Sequence, residues 1–281
     1  MLDFMDKIPL AEWTESATSW IQNTFAFLFE PIKDHFGDFM DFVSGDLLPG
    51  IPPILFILIV AVIAFFVSGK KLGLAVFSIV GLWFVYNQGL WDALMSTVTL
   101  VILASLLSVI IGVPVGILMA KSKIANSILT PVLDFMQTMP AFVYLIPAVA
   151  FFGIGMVPGV FASLIFATPP TVRFTNLGIR QVSNDLIEAS DSFGATGSQK
   201  LFKVELPMAK GTIMAGINQT VMLALSMVVI ASMIGAPGLG SQVLSSLQRA
   251  SVGTGFVAGI GIVILAIIID RITQNMNKAK R

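Results

Sequence analysis

Two long stretches, 135–172 and 211–248, contain no Asp, Glu, Lys, Arg or His. A helix rises about 1.5 Å per residue, so about 20 apolar residues cross the roughly 30 Å hydrocarbon core of a bilayer. Each stretch has room for at least one crossing. Charged residues make up only 11% of the 281, against 56% hydrophobic, and mean hydropathy is +0.91. A soluble domain carries about 25% charged residues, so this supply is too small to coat a water-facing surface. The chain reads as an all-α polytopic membrane protein.

Several chemistries are excluded by what is missing. There is no cysteine and a single histidine, His35, so thiolate and multi-histidine metal sites are absent, as is Ser-His-Asp chemistry inside the membrane. Net charge is zero, and no basic block points to nucleic acid. The opening MLDFMDKIPLAEW has no basic segment followed by an apolar one, which predicts no cleaved signal peptide.

Over residues 11–43 apolar side chains recur at helical spacing (Trp13, Ala17, Trp20, Phe25, Leu28, Ile32), with Glu12, Glu15, Glu30, Asp34, Asp38 and Asp41 between them. The pattern predicts one or two amphipathic helices lying on the membrane, broken near Pro31 or Gly37. Packing on another subunit is the alternative.

Candidate crossings follow at 51–67, 72–86, 94–119, 132–152, 157–172, 212–234 and 254–270. Pro114, Pro140, Pro147 and Pro158 predict kinks. With seven crossings and an external N-terminus, thirteen Lys and Arg fall in cytoplasmic segments, and only Lys7, Lys33 and Arg249 outside. That asymmetry predicts N-out, C-in. A turn from Gly235 to Gly240 then leads into a short external helix, about 239–250.

One long cytoplasmic connection remains, 173–210. Ser183 or Asn184 can cap a helix with Asp185 and Glu188 in its first turns, and Gly194 can end it. A second short helix, about 198–205, is expected to stop at Pro207. Glu188-Ala189-Ser190, three residues, Gly194, nine residues, then Val204-Glu205-Leu206-Pro207 resembles the EAA loop of ABC importer permeases, which reads E-A-A, three residues, G, nine residues, I-x-L-P. Glu188, Ala189, Gly194, Leu206 and Pro207 match; Ser190 and Val204 depart conservatively. At roughly 5–10% usage per residue type, five matches arise by chance about once in 10⁵ to 10⁶ windows.

The segments 131–155, 166–182 and 222–240 further resemble permease subunits of glycine betaine/proline betaine importers, over roughly 92–271. The resemblance implies a five-span type I permease core. It implies a coupling helix that docks on a separate ATPase, with ATP and Mg bound there and no cofactor in this chain. It also implies two ATPase subunits, a second permease chain (a homodimer), and an external substrate-binding protein, free or lipid-anchored. The chain then divides into an external amphipathic segment (1–50), two accessory spans (51–91), the core (92–271) with its coupling loop (173–210), and a basic cytoplasmic tail (272–281). Carnitine, choline and proline betaine stand beside glycine betaine as substrates. A secondary carrier and a membrane scaffold are readings from other classes. No G-x-x-x-x-G-K-[ST] occurs, so nucleotide binding needs another polypeptide.

For the path of a methylammonium zwitterion, aromatic faces and amides supply the candidates Phe135, Gln137, Phe142, Tyr144, Asn218, Gln219, Ser226 and Met227. The competing reading makes the aromatics and methionines packing residues, and makes Asn218 and Gln219 links between helices. Asp134 is expected to cap a helix or pair with a basic neighbour.

Overall fold

A computed structural model of the chain describes residues 9–278, the last two by backbone alone. Lys7, Lys280 and Arg281, together with the side chain of Lys278, lie outside the described residues. Among those described, every regular element is helical. Two N-terminal helices, α1 (Leu10–Thr24) and α2 (Ala26–Asp41), lead through a wide turn at Phe42–Leu47 into the antiparallel pair α3 (Pro53–Val67) and α4 (Leu72–Asn87). Then come α5 (Trp91–Lys121), α6 (Lys123–Thr138), α7 (Leu145–Phe152) and α8 (Met156–Arg180). The connection after α8 forms α9 (Asn184–Ser192) and α10 (Gly197–Lys200). After it run α11 (Leu206–Ser232), α12 (Leu239–Gln248) and α13 (Val252–Lys278).

All seven expected crossings fall on helices, but they are not equivalent. Trp91–Lys121, Gly197–Ser232 and Val252–Met276 are each long and apolar enough to cross a membrane. The helices α3 and α4 have 15 and 16 residues, short of a full crossing at right angles to the bilayer. The expected span 132–152 is not one helix: α6 and the segment Ala141–Phe152 meet at a bend of 109°. Proline causes it. Pro140 drives Met139 into extended geometry (φ −68°, ψ 135°), as the ring does to its predecessor. Pro114, by contrast, lies inside an unbroken α5. Pro147 and Pro158 fall in the first turn of α7 and of α8, where the missing N–H is not needed.

The N-terminal break also moves. Helix α2 runs through Pro31 and Gly37, and the chain bends at Phe25 instead (φ −108°, ψ 18°). Tertiary contacts decide the direction. Phe29 stacks on Phe151 with centroids 4.8 Å apart, Phe36 meets Phe161 edge-on at 5.8 Å, and Met40 is fully buried. The apolar face of α2 thus packs on α7 and α8 of its own chain, whereas Trp13 and Trp20 of α1 stay exposed.

The centre is α8, gripped between α5 and α11. Without a hydrophobic driving force inside lipid, small residues and polar links must hold these helices together. A Cβ on Gly116 of α5 would come within 2.6 Å of Val172 O in α8, so only glycine permits that approach. Thr171 and Thr220 share a hydrogen bond of 2.7 Å, Thr220 also donates to Ala167 O at 2.9 Å, and Ser108 donates to Leu164 O at 3.2 Å. On the far side Leu239 N–H donates to Thr97 Oγ1 at 2.8 Å, seating α12 where the sequence placed a short helix.

Candidate functional site: the α9–α10 hairpin and the α6–α8 face

The connection after α8 folds as a hairpin of two short helices. Ser183 caps α9, its Oγ accepting from Asp185 N–H at 3.2 Å. Gly194 ends the turn after α9 with φ +73°. Among the described residues no atom lies within 4 Å of the place a Cβ would occupy there, so the need for glycine within the chain is conformational and not one of space. Thr196 and Gln199 then form a reciprocal capping box on α10. Lys200 Nζ reaches both carboxylate oxygens of Asp191 at 2.7 and 2.9 Å and braces α10 against α9.

The expected stop at Pro207 is absent. The chain stays helical from Gly197 to Ser232. A π turn at Leu201–Glu205, in which Leu206 N–H donates to Leu201 O, precedes the proline. The wider turn shifts the bonding register just where Pro207 removes an N–H and crowds a carbonyl. The hairpin therefore continues as one rod into α11.

The residues of the matched motif separate into two groups. Glu188, Ala189, Gly194 and Pro207 are exposed, and Ser190, half-buried, donates to Ile187 O at 2.7 Å. Beside them Phe193 is 92% exposed, and Phe202 is largely bare. Leu206, with Leu201, packs instead against the buried Ile179, Ala209 and Ile213. Val204 is half-buried. Between these inner residues sits a group the sequence reading passed over: Glu205 is 4% exposed and ion-paired with Lys121 at the end of α5. The signal was present in its position inside the motif, but its partner is remote in sequence. Arg180 completes this corner, its Nη2 donating to Met119 O at 3.1 Å.

The path candidates do not form one cluster. Tyr144 and Met227 share a buried cluster with Leu145, Ala148 and Ala162. Asn218 Nδ2 donates to Asp270 Oδ1 at 3.0 Å, joining α11 to α13. Phe135, Gln137, Phe142, Gln219 and Ser226 are exposed on the single chain. Asp134 pairs with a basic neighbour, Arg173 of α8. One turn further on, Asn176 Nδ2 donates to Asn126 Oδ1 at 2.9 Å, a second polar rung between α8 and α6. No group of three metal-ligating side chains occurs among the described residues.

Residues 112–281 match the family model described as "Binding-protein-dependent transport system inner membrane component". The chain is 59% identical over 273 residues to the glycine betaine/carnitine transport permease protein GbuB of Listeria monocytogenes, covering 96% of each chain. It is 50% identical over 281 residues to the glycine betaine transport system permease protein OpuAB of Bacillus subtilis, covering 100% of this chain and 98% of that one. Among solved structures, an inward-facing chain of the MetNI methionine ABC transporter superposes with a TM-score of 0.61 at 22% identity, over 68% of this chain and 95% of that one. The last likeness is one of fold.

Proposed function

The chain belongs to the family of binding-protein-dependent transport system inner membrane components, and from that footing we propose that it carries glycine betaine, or a related quaternary-ammonium zwitterion such as carnitine, into the cell. As a permease subunit it is not itself an enzyme; hydrolysis of ATP, with its Mg, belongs to a separate partner subunit. The substrate follows from the names of the two relatives, which are permeases for glycine betaine with or without carnitine.

The observation that carries the coupling reading is the hairpin α9–α10. Its outer side bears Glu188, Ala189, Gly194 and a bare Phe193, and its inner side is continuous with α11. A rigid rod with an exposed acidic and aromatic tip converts closure of a docked ATPase into movement of the helices behind it. We assign Glu188, Ala189, Ser190 and Gly194 to the docking side, and Val204, Leu206 and Pro207 to the side that fastens the rod. The cycle is alternating access. A loaded binding protein docks outside, ATP closes the ATPase pair, the pore opens outward, and hydrolysis returns it inward.

The assembly we propose has two copies of this chain, two ATPase subunits and one external binding protein. Its N-terminus lies outside and its C-terminus in the cytoplasm, as the distribution of Lys and Arg supports. Residues 1–50 form the external segment, 51–91 accessory helices, 92–271 the core and 272–281 a cytoplasmic tail. Phe135, Gln137, Phe142, Gln219 and Ser226 are the proposed path-facing side chains, with Tyr144, Met227 and Asn218 holding the helices that present them.

The test is uptake of glycine betaine into vesicles bearing the reconstituted complex, with and without internal ATP and external binding protein. Uptake that needs both supports the proposal. Uptake without ATP makes the chain a secondary carrier. Hydrolysis without uptake keeps the coupling and removes the substrate.

A further inference from the structure

Two helix ends meet the rod where the hairpin runs into α11. Glu205, on the rod, is ion-paired with Lys121 in the last turn of α5. Arg180, the last residue of α8, donates from Nη2 to Met119 O of α5 at 3.1 Å. In the apolar cluster beside them, Leu201 and Leu206 of the rod join Ile179 of α8 and Val113, Ile117 and Ala120 of α5. Apolar contacts of this kind let packed helices slide on one another, as in shear motions. An ion pair does not.

Burial gives the pair its weight. Glu205 lies on the same stripe of the rod as Ala209 and Ile213, one and two helical turns on, and both of these are buried. An apolar side chain would suit that stripe, yet a carboxylate stands there at 4% exposure. Lys121 alone offsets its loss of water, and Lys121 is itself 41% exposed. Parting the two at any stage would leave an unpaired charge in the core, the costly way to break such a pair. The rod and the end of α5 therefore stay together.

The end of α5 in turn governs α6. A single residue, Ser122, separates the two helices. It is extended (φ −123°, ψ 118°) and caps α6, its Oγ accepting from Ala125 N–H at 3.2 Å. So short a connection cannot absorb a displacement, and the start of α6 follows the end of α5. Further along α6 stand Phe135 and Gln137, both exposed and assigned above to the path.

We infer that Glu205 is a positioning residue for transport: it clamps Lys121 throughout the cycle, so that movement imposed on the hairpin passes to the end of α5 and from there to α6. This rests on the coupling reading above and adds the route by which the movement leaves the hairpin. The docking side of the motif receives the displacement, and Glu205 sends it on. Without the clamp the rod slides past Ile117 and Ala120, and the ATPase turns over without moving α6.

Glu205→Met tests the route. It replaces the carboxylate with an unbranched apolar side chain and releases Lys121 into water, so no charge is stranded and the fold is kept. In vesicles bearing the complex, uptake of glycine betaine per ATP hydrolysed is expected to fall at least about fivefold, the lower end of ordinary coupling energies, with receptor-stimulated hydrolysis maintained. A brace that only supports the fold would lower uptake and hydrolysis together, so an unchanged ratio overturns the inference. The absence of cysteine allows a second measurement. Glu205→Cys with Lys121→Cys puts two thiols in place of the pair, and a short bifunctional thiol reagent joins them. The cross-linked complex is expected to regain coupled uptake. Hydrolysis without uptake after cross-linking would mean that the pair must open during the cycle, and overturns the clamp; so does failure of the thiols to link. Uptake by the unaltered complex that needs no ATP overturns the coupling reading itself, so the two failures are distinguishable.

Discussion

The two halves of the hairpin after α8 share one motif and obey opposite rules. On α9 no residue is buried, and Phe193, just past its end, stands in the open. Further along the chain, Leu201 and Leu206 turn inward onto the core, and Glu205 between them is buried against Lys121. The outer half buries no side chain within the chain; the inner half is shaped by α5 and α8. A motif read as one string is thus two structural devices joined by a turn.

The largest expected effect separates them by stability. Lys121→Met strands the buried Glu205 and is expected to destabilise the chain by roughly 2–4 kcal/mol. Glu205→Gln leaves a neutral amide beside a lysine that still reaches water, and should remove only about 1 kcal/mol. Thermal unfolding of the purified complex measures both; equal losses would mean that the pair is not buried as described. Next in size is Gly194→Val. A β-branched residue at φ +73° is strained by at least about 1–2 kcal/mol, so uptake should fall more than tenfold with membrane insertion intact. Gly194→Asn, which tolerates that conformation, should keep most of it. If Asn is as damaging as Val, space and not backbone conformation is the constraint.

Much of this contrast was legible in the sequence, for local reasons. The cap at Ser183, the terminating Gly194 and the match in spacing are all properties of a few adjacent residues, and α9 forms where they put it. The pairing of Asp134 with a basic side chain was also foreseeable. What escaped were the outcomes that depend on distant partners. Pro207 looks like a stop signal, but the π turn before it carries the helix through. Pro31 looks like a break, yet contacts between α2 and the helices α7 and α8 carry the chain past it. The burial of Glu205 depends on Lys121, far back at the end of α5.

Two smaller changes sharpen the outer half. Phe193→Ser should leave thermal stability of the chain within about 0.5 kcal/mol, as for an exposed substitution. It should weaken association with the ATPase subunit about tenfold if the ring is a contact. Titration of the purified partner measures this, and unchanged affinity would assign docking to Glu188 and Ala189 alone. Ser190→Ala restores the residue usual in the motif and removes only a bond to Ile187 O; uptake should stay within about twofold.

The stacking of Phe29 on Phe151 has a consequence in time. Helix α2 leaves the ribosome before the aromatic partners that seat it, which are synthesised about 120 residues later, at about 5–20 residues per second roughly 6–24 s afterwards. During that interval its apolar face needs a temporary shelter, in the bilayer surface or on a chaperone. Seating of α2 therefore follows the synthesis of α7 and α8, and is set by their emergence and not by its own.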